Sequence, residues 1–398
     1  MKVIRLLKLG YLFFVSVITF IFDTCVITII RKSAHPRDVA VVRLDGIGDF
    51  ILWLDAAKEF RRLYPNKKIT LIANQVWSSL AKLLPCWDAV IPVDRKKFIR
   101  NPIYRFKTLR RIRLHGIETA IQTSHSREFR LGDSLIRATG ASHSIGSNGD
   151  LSNMTSWQKV FSDRWYSQLL PATGEPLMEL QRNAEFMRGM GLRKFTASVP
   201  TLSKLMDLPA NLTIVQPYFV IFPGASWLGR LWPVERFGEL LSKLTRSNGG
   251  LAVLCGSREE RVLCARVIDS SGMEALNLAG ETSLPELVEV IRRAKFLVGN
   301  DTSAVHIAAA VGTPSVCILG GGHYGRFMPY VVDGADHTAP VPVIHRMDCF
   351  GCNWQCTQPH EKDKAMPCIS HITVHEVLEA VVTVLATHTL RCCSGSHA

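Results

Sequence analysis

From residue 38 onward, short apolar runs alternate with longer stretches in which apolar residues recur at helical spacing. Residues 39–42 form the first run, a glycine turn comes next, and a helical period extends over 49–64. An uninterrupted apolar run of this length reads as a strand covered on both faces, and the stretch after it as the helix that carries the chain back. Strands are predicted likewise at 69–73, 89–93 and 119–123, with helices at 76–84 and 103–114. The rhythm returns in the second half, with strands at 219–222, 251–254, 296–298 and 315–319 and helices at 234–245, 259–270, 284–294 and 303–311. Strands separated by helices imply parallel sheets. The chain is therefore expected to be α/β, with parallel sheets in domains 38–205 and 206–398 that leave a cleft between them. The linker is placed at 199–216, where Pro200, Pro209 and Asn211 interrupt any long period. After Pro329 the period weakens into a cysteine-bearing loop, a last helix is predicted at 374–385, and residues after Thr387 read as a tail.

Ahead of this pattern, residues 1–37 form a hydrophobic N-terminal extension in which 9–30 is nearly all apolar, with Asp23 as its one charge. The run is long enough to cross a bilayer, and a central charge costs about 2.5 to 3.5 kcal/mol, which so many Phe, Ile, Leu and Val residues can offset. It is expected to be a membrane-associated helix, the alternative being a buried core helix. Lys2, Arg5 and Lys8 precede it and Arg31, Lys32 and Arg37 follow, so flanking charge assigns no orientation. A small-residue cleavage pattern does not follow the run, which argues against a cleaved leader.

Composition adds two constraints. At 398 residues, with 47% hydrophobic and 20% charged residues, the chain suits two globular domains rather than a disordered polymer. Lys and Arg outnumber Asp and Glu by 47 to 34, so anions are the expected partners: phosphates, acidic sugars, nucleic acid or an anionic membrane. The 11 cysteines are odd in number and several lie in apolar surroundings, which suits a reducing compartment.

Three loops carry candidate chemistry. Gly46-Ile47-Gly48-Asp49 joins a strand to a helix, but the third glycine of a dinucleotide fingerprint and its acidic partner are missing, which argues against a nicotinamide site. Asp49 can cap its helix or face the cleft as a general base. Pro223-Gly224-Ala225-Ser226 follows a strand, and Arg230 lies just beyond; a hydroxyl and a guanidinium there can hold a diphosphate without metal. Gly299-Asn300-Asp301-Thr302-Ser303 precedes a helix bearing His306, and places backbone N–H groups at the edge where open α/β sheets bind ligands. The plainer reading of that loop is helix capping, with His306 packed inward.

These segments, with Arg43-Leu44-Asp45, Leu231-Trp232-Pro233, Asn277-Leu278-Ala279-Gly280 and Ala304-Val305-His306, resemble the heptosyltransferase family, glycosyltransferase family 9. The resemblance covers about residues 39–386 and implies the GT-B fold of two Rossmann-like domains, the first for the acceptor and the second for a nucleotide sugar. It implies Asp49 as catalytic base, Ser226 and Arg230 on the donor diphosphate, and Asp301 and Thr302 at the donor sugar or phosphate. Gly48, Ser303 and His306 belong to the same matched loops and are taken as donor-binding, while Glu260 is the candidate for the ribose hydroxyls. Arg230 stands where the family carries lysine, and Ser303 where glycine is common. The N-terminal extension lies outside the resemblance.

The resemblance further implies inverting transfer of heptose from ADP-heptose to a lipopolysaccharide core or related anionic glycan, with Arg230 stabilising the leaving group and no divalent metal needed. Nucleic acid is not an expected partner. A cytoplasmic enzyme, attached to the inner face of the inner membrane, is expected. A non-catalytic nucleotide-sugar-binding protein and a sugar-nucleotide epimerase of GT-B architecture are the alternatives. Finally, Cys349, Cys352, Cys356 and Cys368 resemble a metal knuckle, since four thiolates complete a tetrahedral shell, and similar loops recur in the family. A structural zinc or iron is expected at this loop, 349–368, against unligated thiols or a redox pair.

Overall fold

The computed structural model describes residues 2–248, 250–332, 338–361 and 363–394. Contacts divide the chain into two compact units. One comprises Met1–Phe50, Ala56–Gly174 and Arg182–Phe195; the other comprises Ile51–Asp55, Glu175–Gln181 and Thr196–Ala398. The stretch read as a linker, 199–216, lies within the second unit.

The first unit holds strands β1 (Asp38–Arg43), β2 (Ile69–Asn74), β3 (Ala89–Val93), β4 (Ile117–Gln122), β5 (His143–Ser147) and β6 (Gln168–Leu170). They form one parallel sheet in the order β3-β2-β1-β4-β5-β6. Its helices are α1 (Lys2–Ile29), α2 (Ile47–Leu63, of which Ile51–Asp55 falls in the second unit), α3 (Ser78–Ala81), α4 (Arg95–Arg100), α5 (Pro102–Arg113), α6 (Ser134–Thr139), α7 (Ser156–Asp163) and α8 (Glu179–Gly189, shared at its start with the second unit). The central strands β1 and β2 are buried almost throughout, which is why their apolar runs were legible without alternation. The strands β5 and β6 escaped prediction because their polar or very short sequences, such as His143-Ser144-Ile145-Gly146-Ser147, have no apolar run.

The second unit repeats the plan with β7 (Tyr218–Phe222), β8 (Leu251–Leu254), β9 (Ala275–Asn277), β10 (Leu297–Asn300), β11 (Ser315–Ile318) and β12 (Val341–Val343), in the order β12-β11-β10-β7-β8-β9. Around them lie α9 (Val234–Asn248), α10 (Arg261–Ser271), α11 (Leu284–Arg292), α12 (Ser303–Val311), α13 (Pro367–Ser370) and α14 (Val374–Ser394). The last helix runs on past Thr387, where a tail was expected. Phe219 and Phe296 stack in this core, with ring centroids 5.0 Å apart. Two Rossmann-like units of parallel sheet bear out the expected fold class.

One element departs from what the apolar pattern suggests. Helix α1 packs on the first unit against α5 and α6, and its single charge is turned inward. Asp23 receives Arg105 Nε at 2.6 Å and Arg105 Nη2 at 2.5 Å, and also accepts the Ser134 hydroxyl. Both side chains of the ion pair are 5% exposed. A bidentate pair shields both charges, whereas removing one partner strands the other in a dry environment. Asp23→Asn is therefore expected to lower unfolding free energy by about 3 to 5 kcal/mol. Chemical denaturation beside the parent checks this, and a loss within experimental error would show that the pair does not anchor α1.

Candidate active site

Every loop that follows a strand in a parallel sheet opens at the same edge, and in the second unit these loops carry the residues singled out by the sequence. The buried Asn300, last residue of β10, ties two of them together. Its amide donates to the carbonyl of Pro223 at 2.7 Å, and its Oδ1 accepts the Trp232 backbone N–H at 3.3 Å. The indole of Trp232 is fully buried and donates to the Ile372 carbonyl at 2.9 Å. The segment between Pro223 and Trp232 is thereby held at both ends, and a short 3₁₀ turn, Leu228–Arg230, swings Arg230 over β10.

There Arg230 Nη2 meets Asp301 Oδ2 at 2.5 Å and also donates to the Asp301 carbonyl, while Nη1 donates to Ser226 Oγ at 3.2 Å. Asp301 is buried. Next to it Thr302 stands before the first turn of α12 without capping it, and Ser303 opens that helix. The Thr302 hydroxyl is buried without a hydrogen-bond partner among the described residues. A free helix N-terminus carries partial positive charge, and a hydroxyl left unsatisfied beside it suits an anionic or hydroxylated ligand. His306, one turn further, is instead directed inward: its Nδ1 bonds the Tyr330 hydroxyl at 2.8 Å and the two rings stack. Burial pushes its pKa down to about 4, against the pull of Asp301, so the imidazole is neutral.

Glu260 lies at the same edge. Its Oε2 accepts the Ser257 N–H at 2.7 Å, and its carboxylate fills the space a β-carbon would need at Gly224. A side chain at position 224 would therefore have to displace the Glu260 carboxylate.

The cysteine loop docks beside this group. The Gly351 N–H donates to Gly321 O at 2.8 Å and the Asn353 N–H to Gly322 O at 2.9 Å. Phe350 and Trp354 lie where β-carbons at Gly321 and Gly322 would sit. Trp354 is placed under Arg230, the guanidinium carbon 5.3 Å from its ring centre, and its indole N–H is buried with no partner among the described residues. Cys368 Sγ accepts the Gly321 N–H at 3.4 Å. Its thiol pKa is raised by burial, against the lowering effect of that N–H bond, and raised further by Cys349, Cys356 and Cys352. Among the described residues, however, no group of three or more His, Cys, Asp or Glu is arranged to hold a metal ion.

In the first unit Asp49 sits in the first turn of α2 and accepts the Gly46 N–H at 3.0 Å, the reciprocal half of a capping arrangement, with Gly48 between them. Asp45, close by in sequence, is paired with the buried Arg43 at 3.0 Å and accepts the Ser124 hydroxyl at 3.0 Å. It lines a small indentation with Ser124, Ser126, Gln122 and Glu128. Arg95 meets Glu128 at 2.6 Å, yet burial dominates and raises the Glu128 pKa.

Ser226, Arg230 and Asp301 are thus in direct contact, Thr302 and Ser303 adjoin them, Glu260 shares their edge, and His306 lies beneath. Asn300, Trp354 and Glu128 were missed as site residues. Asn300 and Trp354 stood inside recognised segments, and only their contacts distinguish them; Glu128 follows a strand with no motif around it.

The description "Glycosyltransferase family 9 (heptosyltransferase)" belongs to the family whose profile matches residues 135–366. The chain is 25% identical over 320 residues to lipopolysaccharide heptosyltransferase 3 of Escherichia coli (strain K12), covering 76% of this chain and 89% of that one. The solved structure of the E. coli ADP-heptose LPS heptosyltransferase II aligns with TM-score 0.64 at 18% identity, over 88% of this chain and 99% of that one. A dodecameric iron-containing heptosyltransferase from enterotoxigenic E. coli, TibC, solved in complex with ADP-D-β-D-heptose, aligns with TM-score 0.53 at 14% identity, over 90% and 78%.

The buried His306 makes stability depend on pH. Its pKa is about 4 when folded and 6.5 when free, so between those values the unfolded chain takes up a proton that the folded chain refuses. This contribution is complete above pH 6.5 and falls away below it by about 1.4 kcal/mol per pH unit. In His306→Gln, which keeps a partner for Tyr330, that part of the acid sensitivity should vanish. Denaturation of both proteins at pH 7, 5.5 and 4.5 measures it, and equal losses in the two would assign the effect to other groups.

Proposed function

We propose, from the premise that this chain belongs to glycosyltransferase family 9 and is a glycosyltransferase, that it transfers heptose from ADP-heptose to a lipopolysaccharide core or related cell-surface glycan. The observation that carries this reading is the contact of Ser226, Arg230 and Asp301 beside the open N-terminus of α12, with the Thr302 hydroxyl left for a ligand. A non-catalytic binder and a sugar-nucleotide epimerase are not favoured beside the family match.

In this reading the donor diphosphate lies between Arg230 and the first N–H groups of α12. Arg230 carries five donors, and the Asp301 carboxylate uses only part of them while fixing the plane of the guanidinium. As the anomeric carbon–oxygen bond to the diphosphate breaks, its electron pair leaves with ADP, and preset positive charge stabilises the anion without reorganising. Asp49 takes the proton of the acceptor hydroxyl as that oxygen bonds the anomeric carbon from the opposite face. The bond that Asp49 accepts from Gly46 aims its carboxylate and leaves it able to accept a proton. Metal has no part in these steps.

A structural zinc or iron at Cys349, Cys352, Cys356 and Cys368 belongs to the same reading. It is supported by the influence of Cys349, Cys352 and Cys356 on the Cys368 thiol and by the N–H bond that Cys368 accepts. Such an ion would fasten the loop that carries Trp354. The acceptor also implies work at the cytoplasmic face of the inner membrane, with α1 as the attachment.

Among ADP-, GDP- and UDP-sugars, ADP-heptose should raise the thermal midpoint most, and Asp49→Asn should keep that shift while turnover falls about 100-fold or more. A larger shift from a UDP-sugar would remove the heptose assignment, and near-parental turnover in Asp49→Asn would remove the base. For the cysteine loop, elemental analysis should find about one zinc or iron per chain, lost in Cys352→Ser with Cys356→Ser. Metal-free protein of full activity would exclude it.

A further inference from the structure

We infer that α1 does not cross a bilayer but lies flat on an anionic leaflet, held from behind by the first unit while its outer face enters the lipid; this rests on the reading that the chain works at a membrane.

The helix has two opposite stripes of inverted polarity. Three of its polar residues point into the protein: Ser16 accepts Gln158 Nε2 at 2.9 Å, Asp23 holds Arg105, and the Thr24 hydroxyl accepts Arg137 Nη2 at 2.7 Å. Outward lie Tyr11, Phe14, Ile18, Ile21 and Ile29, between 49% and 78% exposed, with the exposed Cys25 in the same row. Spacings of three and four residues place this row on a single helix face. An ordinary surface helix shows the reverse arrangement, and scattered exposed apolar residues do not line up in this way. Apolar contact continues sideways, where Phe13 meets Trp157 edge-on at 5.1 Å.

Crossing the bilayer would require Asp23 to leave Arg105, stranding a guanidinium in the protein and a carboxylate in hydrocarbon. In-plane binding leaves every one of those bonds intact. It also gives the exposed Arg31, Lys32 and Arg37, which follow the helix, a common role, since they can then lie in the headgroup layer.

Charge selects the occupant. Residues 95–114, which form α4 and the α5 that α1 packs against, contain nine Lys or Arg and no Asp or Glu. Lys96, Lys97, Arg100, Lys107, Arg110 and Arg111 are exposed there, interleaved with the exposed Ile99, Ile103 and Phe106. An apolar ridge beside acid-free cationic helices is complementary to acidic phospholipid headgroups over acyl chains.

The test is flotation of the full chain with sealed vesicles of phosphatidylglycerol and phosphatidylethanolamine, against vesicles of phosphatidylcholine alone. Binding is expected to the first, to weaken in high salt, and to be released by alkaline carbonate. Ile18→Glu with Ile21→Glu should cut it about tenfold or more while leaving the thermal midpoint and ADP-heptose binding unchanged. Retention through carbonate would overturn the in-plane placement and leave membrane attachment standing, as would binding indifferent to the double variant. Failure to bind either vesicle would overturn both, and a dimer split by the double variant would show that a second copy covers the stripe.

Discussion

In a parallel sheet each strand is entered from the same end, so a helix must carry the chain back across one face before the next strand begins. The loops that follow the strands consequently open together at one edge. In the second unit this gathers segments far apart in sequence: Ser226 and Arg230 after β7, Glu260 after β8, Asp301 and Thr302 after β10, and the glycines after β11 that receive the cysteine loop. What turns proximity into contact is the buried amide of Asn300, which bonds the chain at both ends of the segment carrying Arg230.

Contact then sets the electrostatics. Arg230 is oriented by Asp301 and Ser226, so little of its side-chain freedom remains. Close by, burial keeps His306 neutral, which prevents a second positive charge from competing with Arg230 for the same carboxylate. Two polar groups at this edge, the Thr302 hydroxyl and the Trp354 indole N–H, are buried without a partner among the described residues. Unpaired buried donors and acceptors are costly.

The first unit faces a different problem, an apolar helix with a charge within it. The Asp23–Arg105 pair and its Ser134 partner resolve it by turning the polar side of α1 into the protein. The same solution leaves apolar side chains outside, so the buried ion pair and the exposed apolar row of α1 arise from a single choice of helix orientation.

Sequence alone determined the elements whose burial is complete. The strands β1, β2, β7, β8, β10 and β11 and the helices after most of them were legible because both faces of a parallel sheet demand unbroken apolar runs. The motif loops were legible too, since glycine and small polar residues at strand ends announce a turn that a ligand can approach. The strands β5 and β6 were not, because strands so short or polar lack that signal. Only tertiary structure decided that Arg230 pairs with Asp301, that His306 bonds Tyr330 instead of facing a ligand, and that Trp354 lies beneath the guanidinium. It also decided the meaning of Asp23, which a linear reading could count only as a penalty within an apolar run. Its partner Arg105 lies 82 residues away in sequence, and pairing over that distance is set by how helices pack, which no local pattern encodes.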